Sequence, residues 1–233
     1  MNLFVVGTDT GVGKTVISAG LIRALRALGR DAVALKPVAS GFDIRPDGRH
    51  NEDIEALLAA ADGALTASEI NVYGFDPAIA PHRAAELAGV EIELEPICRS
   101  YQAAAGKHQD VLVEGVGGFA VPLSPRWMLA DLVRALDLPV LLVVGVRLGC
   151  INHALLSAQA ITATGLHLQG WIANHLSVNM EQAEASVQAI AERLSAPLLG
   201  QISCHPPERE FASLAAALLR AADGRKVRTG REP

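Results

Sequence analysis

Residues 7–15 read Gly-Thr-Asp-Thr-Gly-Val-Gly-Lys-Thr, and they constrain the fold more than any other part of the chain. They follow an apolar run and precede a segment with helical periodicity, which gives the order strand, glycine loop, helix. Gly11 and Gly13 let backbone N–H groups come close to phosphate oxygens, and the helix directs its positive end at them. The pattern predicts a nucleotide site in which Lys14 spans the β- and γ-phosphates and the Thr15 hydroxyl joins a magnesium shell.

The loop departs from the strict P-loop spacing, because Thr8 stands where the first glycine is expected. A tight turn from strand to helix would also explain Gly11 and Gly13 without any ligand. It gives no reason for a lysine followed by a threonine, so we favour nucleotide binding.

The rest of the chain alternates short apolar runs with alanine-rich helical segments, which is typical of a parallel sheet covered on both faces. We expect strands, most of them central in the sheet, near residues 3–6, 32–36, 111–114, 140–144, 168–173 and 198–202. We expect helices near residues 14–28, 52–61, 95–106, 129–136, 151–164, 180–194 and 211–222. The fold class is therefore α/β, with a single P-loop-type domain over residues 1–222 and a mostly parallel sheet with helices on both faces. Segment 37–51 is too polar for the core and is expected to be a loop, and residues 223–233 are expected to be a disordered tail.

Composition excludes several classes of function. The net charge of −5 and the absence of a dense Lys/Arg stripe argue against nucleic-acid binding. Three scattered cysteines are too few for a disulfide framework or a zinc cluster and indicate a reducing, cytoplasmic location. No apolar run approaches the length of a membrane span, so we expect no membrane partner.

Polar residues at the carboxyl ends of predicted strands are candidates for chemistry, because ligands bind there in open parallel sheets. Lys36 and Ser40 follow the second strand, where the lysine either meets an anion or is simply exposed to solvent. Glu114 ends an apolar strand and precedes glycines, and we favour a magnesium ligand over a residue that caps a turn.

Two further residues have roles that the residue pattern leaves open. Asp53 lies at a predicted helix start, and the pattern alone favours stabilisation of the first turn. Asn174 ends a strand, where its amide either pairs with a purine edge or only terminates the strand. The histidines show no ligand spacing, so we expect no transition-metal site.

Seven segments, in their order and spacing between about residue 3 and about residue 203, closely resemble the dethiobiotin synthetase family. They are residues 7–15, 36–41 (Lys-Pro-Val-Ala-Ser-Gly), 51–53 (Asn-Glu-Asp), 80–82 (Ala-Pro-His), 113–118 (Val-Glu-Gly-Val-Gly-Gly), 144–153 (Val-Gly-Val-Arg-Leu-Gly-Cys-Ile-Asn-His) and 170–174 (Gly-Trp-Ile-Ala-Asn). The resemblance implies a cytoplasmic ligase that makes dethiobiotin from 7,8-diaminononanoate, CO2 or bicarbonate, and ATP. The expected route passes through a carbamate and a carbamic-phosphoric anhydride before the cyclic urea closes.

The resemblance also implies roles for individual residues. Lys36, Lys14 and Thr10 are the implied catalytic residues, and the implied Mg2+ ligands are Thr15, Asp53 and Glu114. The implied nucleotide-binding residues are Gly11, Val12, Gly13, Lys14, Thr15, Val16, Asp53, Glu114, Gly115, Val116, Gly117, Asn174, His175, Ser203, Cys204 and His205. The implied substrate-binding residues are Thr10, Ser40, Gly149, Cys150 and Asn152, the last three acting across a homodimer interface on the substrate carboxylate.

A different class of function stays open, namely a partition-type or regulatory P-loop ATPase that works as a switch. Dimeric members of that class commonly carry a lysine two residues before the position of Gly11, where this chain has Asp9. That difference favours the synthetase. Some synthetases carry an acidic residue where this chain has Gly11, so no side chain contributes to the loop at that position.

Overall fold

The computed structural model describes the backbone of residues 1–229 and the side chains of residues 1–222. Within this part of the chain, the strands are β1 Asn2–Gly7, β2 Ala32–Leu35, β3 Val38–Ser40, β4 Asp43–Arg45, β5 Gly48–His50, β6 Tyr73–Phe75, β7 Asp110–Gly118, β8 Val140–Val146, β9 Leu168–His175 and β10 Leu198–Ile202. The helices are α1 Lys14–Ala27, α2 Glu52–Ala61, α3 Ala67–Ile70, α4 Pro81–Leu87, α5 Leu94–Ala105, α6 Leu129–Leu136, α7 Cys150–Ala163, α8 Ala183–Ala191 and α9 Glu208–Thr229.

Six strands form one parallel sheet in the order β10-β9-β8-β1-β7-β2. The predicted P-loop-type parallel sheet is confirmed. Its inner strands are continuous apolar runs because both of their faces are covered, and every residue of β8 is buried. The edges are β10 and β2, so these two strands are not central. The order places β7 between β1 and β2, and the tips of these three strands therefore lie side by side.

The helices cover both faces of the sheet. Helix α1 packs against α2 and α9, whereas α5 packs against α6, and α7 packs against α8. Strand β7 contacts both α1 and α5, and the consecutive residues Val111, Leu112 and Val113, which alternate between its two faces, are all buried. The core between the layers includes Phe4 and Trp171, whose side chains are fully buried.

Segment 37–51 differs from the loop that the sequence predicts. Val38 and Ala39 are buried and form β3, which pairs in parallel with β6. The expectation that this segment is too polar for the core was therefore wrong at its start, because its core partner lies more than thirty residues further along the chain. The remainder forms an exposed antiparallel hairpin of β4 and β5.

The C-terminal segment also differs in part from the expectation. Helix α9 continues to Thr229, so its backbone is helical over 223–229, where we expected disorder. Residues 230–233 lie outside the described residues, and the expectation for them stays a prediction. No helix in the described part of the chain is both long and apolar enough to cross a membrane.

Candidate functional site

The glycine loop between β1 and α1 has the backbone shape that the sequence predicts. Gly11 and Gly13 have φ values of 71° and 87°, in the left-handed region that favours glycine. A Cβ atom on Gly13 would lie 2.2 Å from Asn174 Nδ2, so glycine is also required there by close packing. The same Nδ2 donates a hydrogen bond to the carbonyl oxygen of Val12 at 2.8 Å. Asn174 therefore fixes the loop from the tip of β9.

Lys14 is a buried lysine whose hydrogen-bond acceptors, among the residues that the structure describes, are backbone oxygens. Its Nζ donates to the carbonyl oxygens of Gly117 at 2.7 Å and Asp9 at 3.1 Å. Burial, followed by repulsion from the Lys36 ammonium, lowers the pKa of Lys14 to about 8. The ammonium is held at the tips of β1 and β7 without a carboxylate in direct contact, so it can accept an anionic partner.

Three oxygen-bearing side chains meet beside this loop. The Thr15 hydroxyl lies 2.7 Å from both Asp53 Oδ1 and Glu114 Oε1. Thr15 is the second residue of α1, Asp53 lies in the first turn of α2, and Glu114 lies in β7. Lys36, directly after β2, donates from Nζ to Glu114 Oε1 at 2.7 Å and forms an ion pair with Asp53 Oδ2 at 2.7 Å. Two helices, β7 and the end of β2 thus bring two carboxylates, a hydroxyl and an ammonium together.

The two carboxylates decide the charge state of Lys36. Burial alone lowers the pKa of Lys36, but Glu114 and Asp53 outweigh it and raise the pKa above its ordinary value. Burial likewise opposes ionisation of Asp53, but the Lys36 ammonium and hydrogen bonds from Lys36 and Thr15 lower its pKa. Lys36 therefore stays protonated and Asp53 stays ionised at neutral pH.

Asp53 reaches the site because of the residue that starts α2. Asn51 Oδ1 accepts a hydrogen bond from the N–H of Ile54 at 3.2 Å, which is an N-cap contact. Asn51 Nδ2 donates to the carbonyl oxygens of Ser40 at 3.3 Å and Gly41 at 3.2 Å. One side chain thus joins the end of β3 to the helix that carries Asp53.

The oxygen set fits a small hard cation. Carboxylate and hydroxyl oxygens are the ligands that Mg2+ prefers. Glu114 Oε2 is buried and has no hydrogen-bond partner among the described residues, which leaves one carboxylate oxygen for a further positive partner. In the same part of the chain, no group of three or more His, Cys, Asp or Glu side chains is placed to hold a metal. The candidate set has two carboxylates and depends on Thr15 for its third oxygen.

A cavity of about 600 Å³ opens at these strand tips. The predicted site residues that line it are Thr10, Gly11, Gly13, Lys14, Thr15, Val16, Lys36, Ser40, Asp53, Val116 and Gly117. The sequence interpretation gave no role to five other lining residues, namely Ala78, Ile79, Ala80, Pro81 and Val121. The Ala-Pro-His motif at 80–82 was a signal for two of them, Ala80 and Pro81.

Three other predicted residues lie behind the cavity wall. Val12, Glu114 and Gly115 are buried. A Cβ atom on Gly115 would lie 3.0 Å from the Phe4 ring, so this glycine allows β7 to pack closely on β1. Glu114 does not line the cavity itself, but it hydrogen-bonds Thr15 and Lys36, which do.

The residues predicted for the adenine side lie at the tips of β9 and β10. His175, Ser203 and Cys204 line a second cavity of about 470 Å³, and His205 is exposed. His175 Nε2 hydrogen-bonds Gln201 Oε1 at 2.8 Å. The backbone N–H and hydroxyl of Ser203 donate to the Glu210 carboxylate at 2.8 and 3.0 Å.

The residues predicted for the substrate carboxylate lie at the start of α7. Gly149 is its N-cap with φ of 91°, Cys150 is buried, and Asn152 is exposed in the first turn. None of the three is among the residues that line the 600 Å³ cavity. Arg147, just before them, forms an ion pair with Asp9 of the glycine loop.

Comparisons with known proteins identify the family of the chain. A family model described as an AAA domain matches residues 1–208. An ATP-dependent dethiobiotin synthetase BioD from Xanthomonas campestris pv. campestris is 49% identical over 203 residues, which is 87% of this chain and 91% of that protein. Another BioD, from Pseudomonas paraeruginosa, is 50% identical over 200 residues, which is 85% of this chain and 88% of that protein.

Solved structures resemble the chain in fold alone. The cell division ATPase MinD of Pyrococcus furiosus superimposes with a TM-score of 0.58 at 16% identity, covering 94% of this chain and 98% of its own. The cell division protein FtsY of Thermotoga maritima gives a TM-score of 0.55 at 17% identity, covering 94% of this chain and 68% of its own.

Proposed function

Because the chain belongs to the family of ATP-dependent dethiobiotin synthetases, ligases that form carbon–nitrogen bonds, we propose that it closes the ring of dethiobiotin. In this proposal, 7,8-diaminononanoate, CO2 and ATP give dethiobiotin, ADP and phosphate. One amine adds to CO2 and loses a proton to form a carbamate. A carbamate oxygen then attacks the γ-phosphorus and displaces ADP, and the second amine attacks the carbamoyl carbon, losing a proton as phosphate leaves.

The observation that carries the proposal is the pair of lysines that follow β1 and β2, the strands on either side of β7. The reaction must bring a carbamate and a triphosphate together although both are anions, which requires positive charge at fixed positions. Lys14 and Lys36 line one cavity, each held by hydrogen bonds at 2.7 Å. We assign Lys14 to the β- and γ-phosphates and Lys36 to the carbamate and the transferring phosphoryl group. Thr10 and Ser40, on the same cavity, position the diamine or the carbamate.

We further propose Thr15, Asp53 and Glu114 as the residues that hold Mg2+. Their converging oxygens and the unpartnered Glu114 Oε2 support this assignment. When bound, Mg2+ supplies positive charge to the triphosphate, as in other P-loop enzymes. Lys36 shares both carboxylates, so the same pair of acids orients the lysine ammonium toward the cavity.

The remaining assignments are proposals that extend from the family. We place the nucleotide phosphates on the loop from Gly11 to Val16, and we assign Glu114, Gly115, Val116 and Gly117 to the nucleotide site as well. We place the base beside Asn174, His175, Ser203, Cys204 and His205. Asn174 uses its Nδ2 on the Val12 carbonyl, which leaves its Oδ1 for the base.

We also extend the proposal from the family to the assembly and the cellular location of the protein. We propose a homodimer in which Gly149, Cys150 and Asn152 of one protomer receive the substrate carboxylate bound to the other, since no side chain caps the start of α7 and a helix N-terminus favours an anion. We propose a cytoplasmic enzyme without nucleic-acid or membrane partners. Its three cysteines are free, as a reducing compartment favours.

Product identification tests the proposal. The protein is incubated with MgATP, bicarbonate and 7,8-diaminononanoate, and dethiobiotin and ADP are quantified by mass spectrometry. We expect one dethiobiotin per ADP and little ADP when the diamine is omitted. ATP turnover that does not depend on the diamine and yields no dethiobiotin would instead support an ATPase switch. The fold of the chain is similar to that of one ATPase, the cell division protein MinD.

A further inference from the structure

Two chemically different sets of residues line the cavity. One set carries the charged and hydroxyl groups of the phosphate loop and of Lys36 and Asp53. Residues 78–81 (Ala-Ile-Ala-Pro), which we call the apolar wall, are the other set. Ile79 is 41% exposed, although a large aliphatic side chain gains by burial. An apolar surface next to paired ammonium groups suits a ligand that has a reacting polar end and an aliphatic chain.

Three residues of the apolar wall lie in the connection between β6 and α4, and the fourth, Pro81, begins α4. One arginine of the hairpin holds the start of this connection. Arg49 donates to Asp76 Oδ1 from Nε at 2.9 Å and from Nη2 at 2.5 Å. Its Nη2 also donates to the Gly74 carbonyl at 3.1 Å. The guanidinium carbon lies 4.5 Å from the centre of the Phe42 ring. These contacts use the planar donor fork and the aromatic stacking that distinguish arginine from lysine.

Arg49 also sits close in sequence to the charged residues of the cavity. It belongs to β5, two residues before Asn51, which caps α2 and so orients Asp53. Asp76 lies two residues before Ala78 of the apolar wall, and Ala78 Cβ packs 3.3 Å from the place of a Cβ on Gly41, next to Ser40. One arginine therefore connects the segment that leads to Asp53 with the segment that leads to the apolar wall, and it sets the distance between them.

We propose that Ile79 contacts the alkyl chain of the diamine substrate and determines specificity for it, and that Arg49 is a positioning residue that holds the apolar wall. This inference rests on the proposed function, which supplies a substrate with vicinal amines at one end of an aliphatic acid. The amines lie toward Lys36, and the methylene chain crosses the wall.

The test is steady-state kinetics with 7,8-diaminononanoate and ATP on four single variants. Removal of an apolar contact in a substrate pocket changes discrimination by about tenfold or more, so Ile79→Ser raises KM for the diamine by about tenfold. Arg49→Ala raises the same KM by about three- to tenfold, because the loss of a charge-assisted contact lets the wall move. In both variants, kcat and KM for ATP change by less than about twofold, since uniform loss of substrate binding leaves the chemical step intact.

Two residues of the same hairpin give matched controls. Ile44 is 75% exposed and does not line the cavity, so Ile44→Ser leaves all constants unchanged. Arg45 pairs with Asp43 of its own hairpin at 3.5 Å, so Arg45→Ala also leaves them unchanged. The double variant Ile79→Ser/Arg49→Ala is no worse than the poorer single variant, because both act through one wall.

Three results would overturn the inference. An unchanged KM for the diamine in Ile79→Ser removes the proposed contact, and an effect of Arg49→Ala equal to that of Arg45→Ala removes the positioning role. Fully additive effects in the double variant show that the two residues act separately. If the unmodified protein makes dethiobiotin, these failures leave the proposed function standing, whereas absence of dethiobiotin from the unmodified protein overturns both.

Discussion

At the scale of single residues, two lysines of one cavity are placed in opposite electrostatic environments. Lys36 contacts two carboxylates, which raise its pKa, whereas Lys14 contacts backbone oxygens and its pKa falls to about 8. The sequence predicted Lys14 as a phosphate ligand from the glycine loop, and it made Lys36 a candidate because that lysine follows the end of a strand. It could not predict this difference, because Glu114 and Asp53 come from distant parts of the chain.

The lowered pKa of Lys14 predicts proton uptake when ATP binds. Without nucleotide, the ammonium loses its proton as pH rises through about 8, and a bound triphosphate restores the charge. At pH 8, about half a proton is taken up per ATP bound, since pH then equals the pKa. Calorimetry in buffers of different ionisation enthalpy measures this uptake. Lys14→Arg keeps its charge at pH 8 and shows none, while a parent protein without uptake would refute the assignment.

Thr15→Val tests the hydroxyl that lies between Asp53 and Glu114. Valine keeps the shape of the side chain but removes the oxygen that lies 2.7 Å from each carboxylate. Because loss of groups around a metal typically costs about 10- to 100-fold in affinity or activity, the Mg2+ concentration for half-maximal turnover rises by at least about tenfold. Thr15→Ser keeps the hydroxyl and serves as the control. If the Thr15→Val variant and the parent protein need the same Mg2+ concentration for half-maximal turnover, the proposal that Thr15 is a Mg2+ ligand is contradicted.

At the scale of elements, long periodic segments were predicted well and short paired ones were not. The six strands of the main sheet and helices such as α1 and α2 lie where apolar runs and helical periodicity place them. Strands β3 and β6 have three residues each and pair across more than thirty residues, so no local pattern identifies them. Ala78 and Ile79 of the apolar wall were missed for the same reason, since they lie between β6 and the short helix α4.

Asn51→Ala tests whether the start of α2 orients Asp53. Loss of the N-cap costs about 1 kcal/mol of unfolding free energy, measured by urea denaturation. Because the amide also holds Ser40 and Gly41, Asp53 shifts and the Mg2+ requirement for turnover rises. Thr66→Ala is the matched control, because Thr66 caps α3 with Glu69 outside the cavity. Equal effects of the two variants on Mg2+ dependence would rule out an orienting role.

At the scale of the whole molecule, strand order creates the site. The sheet places β7 between β1 and β2, so Lys14, Glu114 and Lys36 meet although they are far apart in sequence. The sequence predicted a parallel sheet with ligands at its carboxyl edge, but the order of strands depends on packing between layers. Helix α1 is central to that packing because it contacts α2, α9 and the sheet.

Gly20→Ala tests the contact between α1 and α9. A Cβ atom on Gly20 would lie 2.2 Å from the Phe211 ring, so the helices must separate or the ring must move. We expect a loss of about 1–3 kcal/mol in unfolding free energy, the usual cost of overpacking. When Phe211→Leu is added to the Gly20→Ala variant, we expect part of the lost unfolding free energy to be recovered. Gly106→Ala is the control, since a Cβ atom on Gly106 would lie at an ordinary 3.4 Å from the carbonyl oxygen of Gln102. A similar loss of unfolding free energy in both variants would contradict the packing account.

The measurement that tests the central claim most directly compares ATP affinity and kcat in Lys36→Ala. Because Lys36 is assigned to charge that develops as the phosphoryl group moves, kcat for dethiobiotin falls by about 10²–10³-fold, as for other removed stabilising donors. ATP affinity stays within about threefold, since Lys14 and the loop still bind the phosphates. Lys107→Ala, an exposed lysine that pairs with Glu69, serves as the control and changes neither quantity. A kcat equal to that of the parent, or a loss of ATP affinity as large as the loss of kcat, would contradict the account.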